Sequence, residues 1–250
     1  EKREQITDIA KNIIREMKYD NAGTVEFLFK NDEFYFMEVN ARIQVEHPIT
    51  EVTTGIDIVE QQIHIATGDG LLINQKDINF KGHAIECRIN AEHPISFVPY
   101  PGIVKKFIPP QGTNIRIDTA LYSGYSIPIF YDSLISKLIC FGLTRTEVIE
   151  KMKSALLAFR ISGIPSTIPF HISALNDRRF IDGKYDTSFI DNMKTFSEKK
   201  GEIAAAIFIE IPKKLQFLKT DDQNTEDKWL KKRLDWIAKY NIERNLSGWG

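Results

Sequence analysis

Residues 24–48 read TVEFLFKNDEFYFMEVNARIQVEHP, and this stretch carries the strongest structural signal in the chain. Two runs rich in β-branched and aromatic residues, 24–29 and 34–39, flank the polar run 30–33, which is typical of a turn. We therefore predict an antiparallel β-hairpin over this stretch.

The hairpin brings two acidic side chains together. The predicted register places three pairs directly opposite one another: Phe29 with Tyr35, Leu28 with Phe36, and Glu26 with Glu38. Like charges in that position destabilise a sheet, unless a cation lies between them or one carboxylate is protonated. Asn40 continues the face of Glu38, and two carboxylates with an amide oxygen suit Mg²⁺ that also binds phosphate and water. The alternative is that these residues only form the solvated face of a sheet.

The segment that follows, residues 40–54, has no regular hydrophobic period and is predicted to be a loop. Arg42 carries a planar guanidinium that can hold an oxyanion through two hydrogen bonds. Glu46, four residues later, can accept a proton from whatever Arg42 holds. Composition alone also allows a polar loop without a chemical role.

Outward from this stretch, helices and short strands follow without a regular βαβ repeat, which predicts an α+β fold. An apolar stripe over residues 6–17 indicates a helix before the hairpin, and another helix is predicted over 57–67. Residues 83–90 alternate apolar and polar side chains, with Arg88 on the polar face of a strand. Further elements are predicted as strands over 102–108, 114–118 and 133–141, and as helices after Thr144 and after Pro165.

The composition disfavours several classes of protein. The 250 residues include 33 basic and 34 acidic side chains, so the net charge of −1 offers no global attraction to nucleic acid or anionic lipid. The longest purely apolar run, residues 203–209, has seven residues, whereas a membrane-spanning helix needs ~20. Cys87 and Cys140 lie far apart without neighbouring ligand residues, which disfavours a disulfide framework or a zinc site. We expect buried thiols and a cytoplasmic location.

The stretch that opens with the hairpin belongs to a longer pattern. RIQVEH at residues 42–47 is followed in order by GHAIECRINAE at 82–92, FVPYPG at 97–102 and YDSLISKL at 131–138. Together these runs resemble the biotin carboxylases, the ATP-grasp components of biotin-dependent acyl-CoA and pyruvate carboxylases, over residues 1–192. The acidic pair with an asparagine occurs in many ATP-grasp ligases, whereas the RIQVEH run is specific.

This resemblance implies an ATP-dependent ligase that carboxylates biotin with bicarbonate through carboxyphosphate. Glu26 and Glu38 would bind the Mg²⁺ or Mn²⁺ that bridges the ATP phosphates, and Asn40 would support one metal ion. Biotin would arrive on a separate carrier protein or domain.

The resemblance also implies roles for the residues after the hairpin. Bicarbonate would be bound by Arg42, Gln44 and the backbone of Val45. Glu46 would be the base that deprotonates bicarbonate. Arg88 would stabilise the biotin enolate and the phosphate that leaves carboxyphosphate.

The chain divides into three parts, the first two set by the resemblance and the third, which lies beyond it, by its own basic amphipathic pattern. Residues 1–79 would be the last part of an ATP-grasp domain, an antiparallel sheet with helices, and residues 80–193 the α+β C-terminal domain of a biotin carboxylase. Residues 194–250 would form a helical extension. We expect the chain to be the C-terminal part of a longer protein and to turn over little by itself, because the family's glycine-rich ATP loop would precede Glu1.

The expected partners are a biotin carboxyl carrier protein, a carboxyltransferase subunit that selects acetyl-CoA, propionyl-CoA or pyruvate, and a second copy of the full-length chain. Nucleic acid and membrane are not expected. Two alternatives remain: another ATP-grasp ligase, such as a carbamoyl phosphate synthetase, and a non-catalytic assembly module in which residues 194–250 mediate contact. Asp132 and Lys137 are interpreted as interior ion-pair residues.

Overall fold

The computed structural model describes residues 1–194, so the extension expected over 194–250 lies, apart from its first residue, outside the described residues. The helices of the described part are α1 (Lys2–Met17), α2 (His47–Thr54), α3 (Ile58–Thr67), α4 (Arg145–Ala158), α5 (Ile168–Asn176), α6 (Arg178–Ile181) and α7 (Phe189–Lys194). Its strands are β1 (Thr24–Lys30), β2 (Glu33–Asn40), β3 (His83–Asn90), β4 (Gly102–Ile103), β5 (Lys106–Ile108), β6 (Ile115–Asp118), β7 (Ser126–Ile127), β8 (Leu134–Gly142) and β9 (Arg160–Ser162). The predicted α+β class is confirmed.

The predicted hairpin is confirmed as the antiparallel pair β1–β2, with Glu26 directly opposite Glu38. Nearer the turn the predicted register is wrong by one residue: Phe29 lies opposite Phe34 instead of Tyr35, and Leu28 lies opposite Tyr35 instead of Phe36. The acidic pair and the aromatic pairs therefore follow two different registers within one hairpin.

A tight turn and a β-bulge cause this change of register. Asn31 and Asp32 have φ angles of 51° and 70°, as in the two-residue turn that best matches strand twist. That turn pairs Lys30 with Glu33, and the register then shifts between Glu26 and Phe27. The shift leaves Met37 as the extra residue of β2, and a bulge of this kind re-aims the side chains beyond it.

Residues 47–54 form helix α2, so the prediction of a loop over 40–54 is wrong for its second half. Pro48 lies in the first turn, where its missing N–H costs nothing, and Gly55 ends the helix with a φ of 76°. Glu51 is buried and accepts hydrogen bonds from the Ile58 amide at 2.9 Å and from Arg116 at 2.6 Å. The helix is thus stabilised by an ion pair with β6, which no local period reveals.

Strands β3, β8 and β6 form an antiparallel sheet in the order β3-β8-β6. Helices α4 and α2 pack against this sheet. The apolar face packs its residues beneath α4, where Cys140 contacts Met152 at 3.9 Å between sulfurs. Both cysteines are buried free thiols, as predicted, and burial raises the pKa of Cys87 and raises that of Cys140 to about 11. The charged side chains of β3, β6 and β8 lie on the other face of the sheet.

Most of the remaining predicted elements are confirmed, including α3, α4 and α5. Helix α4 begins at the N-cap Thr144, which accepts the amide of Glu147, and its predicted apolar stripe is buried. The strand predicted over 102–108 is divided into β4 and β5, and β9, α6 and α7 were not predicted. Helix α1 forms, but none of its residues is buried against the rest of residues 1–194.

Among residues 1–194, none of the helices combines the length and the hydrophobicity that crossing a bilayer requires.

Candidate functional site

The two facing carboxylates of the hairpin are joined by an amide. Asn40 donates from its Nδ2 to Glu26 Oε1 at 2.9 Å and to Glu38 Oε1 at 3.0 Å. Glu26 lies opposite Glu38 and Asn40 follows Glu38 by two residues, so all three side chains lie on one face of the hairpin. A hydrogen-bond donor therefore lies between the two carboxylates. The negative potential that favours a donor at this position also favours a cation.

The described residues include no cluster of three or more His, Cys, Asp or Glu side chains that could hold a metal ion. Glu26 and Glu38 offer two carboxylates at this place, and the amide oxygen of Asn40 accepts a hydrogen bond from Arg42 beside them. Such a set fits Mg²⁺ that takes most of its six oxygens from phosphate and water.

Arg42 connects the acidic pair to the following loop. Its guanidinium donates to Asn40 Oδ1 at 3.3 Å and to Gln44 Oε1 at 3.0 Å. His47 contacts the Gln44 carbonyl through Nδ1 at 2.7 Å, and its own amide donates to the same oxygen. The loop thus places the Arg42 guanidinium beside Asn40, which bridges the acidic pair, and the Gln44 side-chain amide beside that guanidinium.

Glu46 and Arg88 meet although they lie 42 residues apart in the chain. Arg88 Nη2 donates to Glu46 Oε2 at 2.6 Å, and both side chains are about half exposed. A carboxylate and a guanidinium this close to solvent provide a base and an oxyanion partner that can separate to bind a ligand. The structure therefore places the predicted residues in two hydrogen-bonded groups, one that joins the hairpin to Arg42 and Gln44 and one that joins Glu46 to Arg88 on β3.

Two residues that the sequence reasoning missed hold the backbone of Arg88. His171 contacts the Arg88 carbonyl through Nε2 at 2.8 Å, and Thr167 donates to the same oxygen at 3.2 Å. Burial lowers the pKa of His171, so the neutral ring donates its Nε2–H. Neither residue has a sequence signal, because each acts on a strand about eighty residues earlier.

The interpretation of Lys137 and Asp132 is half correct. Lys137 is largely buried and its Nζ lies 3.4 Å from Asp118 Oδ2. Asp132 is exposed and accepts the amide of Leu134, so its role as an interior ion-pair residue is wrong. An aspartate two residues before an amide commonly makes such a local turn instead.

Glu86 is a buried carboxylate on the polar face of β3. Neither of its oxygens has a hydrogen-bond partner among the described residues, and Arg88 Nε lies 3.7 Å away. Burial raises the pKa of Glu86 above its ordinary value of 4.5, against the attraction of Lys137 and Arg88. The folded chain therefore holds a proton on Glu86 more tightly than the unfolded chain does.

This raised pKa predicts how stability depends on pH. The contribution of Glu86 is fully present below about pH 4.5 and is lost as the pH rises through the folded-state pKa. The Glu86→Gln variant removes this loss, so its free energy of unfolding should rise relative to the parent above pH 4.5, by about 1.4 kcal/mol per unit of pKa shift. Urea unfolding across this pH range measures the difference.

The matched control is Glu150→Gln on the exposed face of α4, where the glutamate side chain is 67% exposed. That variant should follow the parent at every pH. If the Glu86→Gln and parent curves stay parallel, the carboxylate is not desolvated in the folded state.

Comparison with known proteins places this site in a family. Residues 86–192 match the family described as the biotin carboxylase C-terminal domain, and residues 1–74 match the ATP-binding domain of the carbamoyl-phosphate synthase L chain. Biotin carboxylase 1 of Bacillus subtilis is 50% identical over 192 residues, which are 76% of this chain and 43% of the relative. One of the pyruvate carboxylase subunits of Methanothermobacter thermautotrophicus is 50% identical over 195 residues, 78% of this chain and 40% of the relative.

Solved structures agree with these sequence relatives. The biotin carboxylase domain dimer of Hydrogenobacter thermophilus 2-oxoglutarate carboxylase, in complex with MgADP, ADP and bicarbonate, has a TM-score of 0.72 at 43% identity. That alignment covers 76% of this chain and 43% of the other. A biotin carboxylase subunit of pyruvate carboxylase also has a TM-score of 0.72, at 42% identity and the same coverage.

The chain spans about two fifths of the length of the curated relatives it matches. The two family matches together reach from residue 1 to residue 192, and half of the aligned residues are identical to those of two relatives. On both sequence and fold, the chain belongs to the biotin carboxylase family.

Proposed function

We propose that this chain supplies the bicarbonate-activating part of an ATP-dependent biotin carboxylase. The observation that carries the proposal is the contact of Glu46 with Arg88 at 2.6 Å, directly beside the loop that carries Arg42 and Gln44. A base, an oxyanion partner and an anion-binding loop thereby share one small surface. The 50% sequence identity to a protein named biotin carboxylase supports the same assignment.

In the proposed reaction, bicarbonate is held by Arg42, the Gln44 side chain and the Val45 N–H. Glu46 accepts the bicarbonate proton, and the resulting oxyanion attacks the terminal phosphorus of ATP, so that ADP leaves and carboxyphosphate forms. The negative charge on the transferring group requires positioned cations. Arg42 is suited to that role because it already spans the acidic pair and the loop.

Glu26, Glu38 and Asn40 would hold Mg²⁺ or Mn²⁺. When bound there, the metal ion would neutralise charge on the ATP phosphates. The Asn40 amide group that now donates to both carboxylates supports this assignment, since the same place between the carboxylates favours positive charge. Truncating either carboxylate should weaken metal binding more than nucleotide binding.

Arg88 would serve the second half of the reaction. Carboxyphosphate releases CO₂ beside biotin, the phosphate takes the N1 proton, and Arg88 holds the ureido oxygen on which negative charge develops. Arg88 must leave Glu46 for this contact, which is possible because both side chains are about half exposed and the pair is only partly desolvated.

The proposed partners follow from this assignment. Biotin would arrive on a carrier protein or domain, and a carboxyltransferase subunit would use the carboxylated biotin. Relatives named as subunits of pyruvate and 2-oxoglutarate carboxylases support a multi-subunit assembly, and a solved neighbour described as a domain dimer supports pairing of two copies. We propose a cytoplasmic location on the basis of the two free thiols.

A hybrid enzyme tests the proposed function. Residues 1–192 of this chain replace the matching segment of Bacillus subtilis biotin carboxylase 1, to which they are 50% identical. We expect bicarbonate-dependent ATP hydrolysis that rises when free biotin is added, measured by ADP release. A cooperatively melting hybrid without bicarbonate-dependent hydrolysis would contradict the proposal.

The match of residues 1–74 to a carbamoyl-phosphate synthase domain favours one second candidate, another ATP-grasp ligase. The same hybrid separates the two functions. Biotin should stimulate hydrolysis only in a biotin carboxylase, whereas formation of carbamoyl phosphate from ammonia without a response to biotin would support the second candidate.

A further inference from the structure

A row of three charged residues crosses the central sheet. Arg88 on β3 lies directly opposite Lys137 on β8, and Lys137 lies directly opposite Asp118 on β6. Directly opposed residues point to the same face of a sheet. Lys137 is therefore the middle residue of this row, between Arg88, the proposed oxyanion partner, and Asp118.

The ammonium group of Lys137 reaches the loop that carries the proposed base. Its Nζ donates to the Val45 carbonyl at 3.2 Å, a contact between residues 92 positions apart, and lies 3.4 Å from Asp118 Oδ2. Only 13% of the Lys137 side chain is exposed. A charged hydrogen bond in such a place is among the stronger ones in proteins.

Two separate contacts hold two consecutive peptide groups of the loop, and Lys137 supplies the second of them. The Val45 carbonyl belongs to the planar peptide that also carries the Glu46 N–H, so Lys137 sets the plane from which the Glu46 side chain leaves. The preceding peptide is held by His47, which contacts the Gln44 carbonyl at 2.7 Å. Because that peptide is trans, its Val45 N–H points away from the carbonyl that His47 contacts.

Acidic neighbours hold the Lys137 side chain in place. Asp118 is its ion-pair partner and is itself held by Arg116 at 2.7 Å. The Glu86 carboxylate attracts Lys137 from the same sheet face and has no hydrogen bond of its own among the described residues.

We propose that Lys137 is a positioning residue for the anion-binding loop, acting through the Val45 carbonyl to orient the Val45–Glu46 peptide and with it the Glu46 carboxylate. Its consequence for catalysis rests on the proposed function, whereas the ordering of the loop does not. Lys137 acts through the backbone of the loop and touches no reacting atom.

Hydrogen exchange of the full 250-residue chain tests the ordering directly. The His47 and Ile49 amides donate to the Gln44 and Glu46 carbonyls, so their exchange reports opening of the loop. In Lys137→Met the lost charged hydrogen bond should speed their exchange by about tenfold to hundredfold. In Lys137→Arg, which keeps a charged donor, exchange should return to within about threefold of the parent.

The matched control is Lys151→Met. Lys151 also donates to a β8 carbonyl, that of Phe141 at 2.9 Å, but far from the loop in sequence and on the opposite, α4 side. It should leave His47 and Ile49 exchange unchanged. Unchanged exchange in Lys137→Met, or an equal increase in Lys151→Met, would overturn the proposal.

A second variant guards against misfolding. If Lys137→Met shows no cooperative melting transition, Asp118→Asn replaces it, since this change leaves the lysine and removes its ion-pair partner. Exchange at His47 and Ile49 should then rise several-fold, and an unchanged rate counts against the role of Lys137.

The hybrid enzyme supplies the kinetic measurement. Lys137→Met should raise KM for bicarbonate and lower kcat, with KM for ATP unchanged, because only the loop geometry changes. A uniform loss that includes KM for ATP would contradict a positioning role. If the parent hybrid lacks bicarbonate-dependent hydrolysis, the proposed function fails while the exchange experiment still decides the role of Lys137.

Discussion

The Glu46→Gln variant of the hybrid enzyme is expected to lose bicarbonate-dependent ATP hydrolysis by about 10²–10⁴-fold, the usual contribution of a general base. The change keeps the size of the side chain and the acceptor oxygen that contacts Arg88, but removes the carboxylate that takes the bicarbonate proton. MgATP affinity, measured by calorimetry, should stay unchanged, because Glu46 is not one of the proposed metal ligands.

Glu150→Gln on the exposed face of α4 is the matched control and should retain the parent rate. A Glu46→Gln variant within about tenfold of the parent would show that bicarbonate is deprotonated elsewhere. A variant that binds MgATP less well would instead show that Glu46 belongs to the nucleotide site.

Arg88→Met is expected to lower the carboxylation of biotin by about 10²–10³-fold, as does removal of one oxyanion partner in other enzymes. Hydrolysis of ATP that depends on bicarbonate but not on biotin should fall far less, because Arg88 contacts the biotin oxyanion in the proposed reaction. The two rates, measured in the same hybrid with and without free biotin, give the ratio that tests this role.

Arg178→Met controls for the loss of a positive charge, since the Arg178 side chain is 92% exposed. It should change neither rate. Equal losses of both rates in Arg88→Met would assign Arg88 to the first half of the reaction, where its present contact with Glu46 would be the important one.

Local patterns were sufficient for much of the fold. The stripe of α4 repeats at three and four residues, and its residues from Val148 to Leu156 are buried as that period predicts. The alternation over β3 likewise placed Cys87 inside and Arg88 outside. Such patterns are reliable because a helix or strand buries whichever face is apolar, and this choice needs no knowledge of the partner element.

Local patterns failed where a distant side chain decides the conformation. Helix α2 was predicted as a loop, although Pro48 and Gly55 are helix boundary signals, because its stabilising pair Glu51–Arg116 joins residues 65 positions apart. The hairpin register was wrong near the turn because a bulge inserts Met37 beyond a two-residue turn. Neither the extra residue nor the ion pair has a repeating signature.

In the candidate site, too, local sequence patterns account for some features and long-range contacts for others. The sequence by itself determined which residues are proposed to carry the chemistry, since the acidic pair, Asn40 and the RIQVEH run at 42–47 lie within one short stretch and local pairing suffices to place Glu26 opposite Glu38. Only the tertiary structure decided what holds them. Arg88 reaches Glu46, and Lys137 reaches Val45, across 42 and 92 residues, because β3 and β8 pair and place both cations on the face that the loop crosses. Contacts of that length depend on the packing of whole elements, whose free energy is spread over many side chains, and so they leave no mark in any short stretch of sequence.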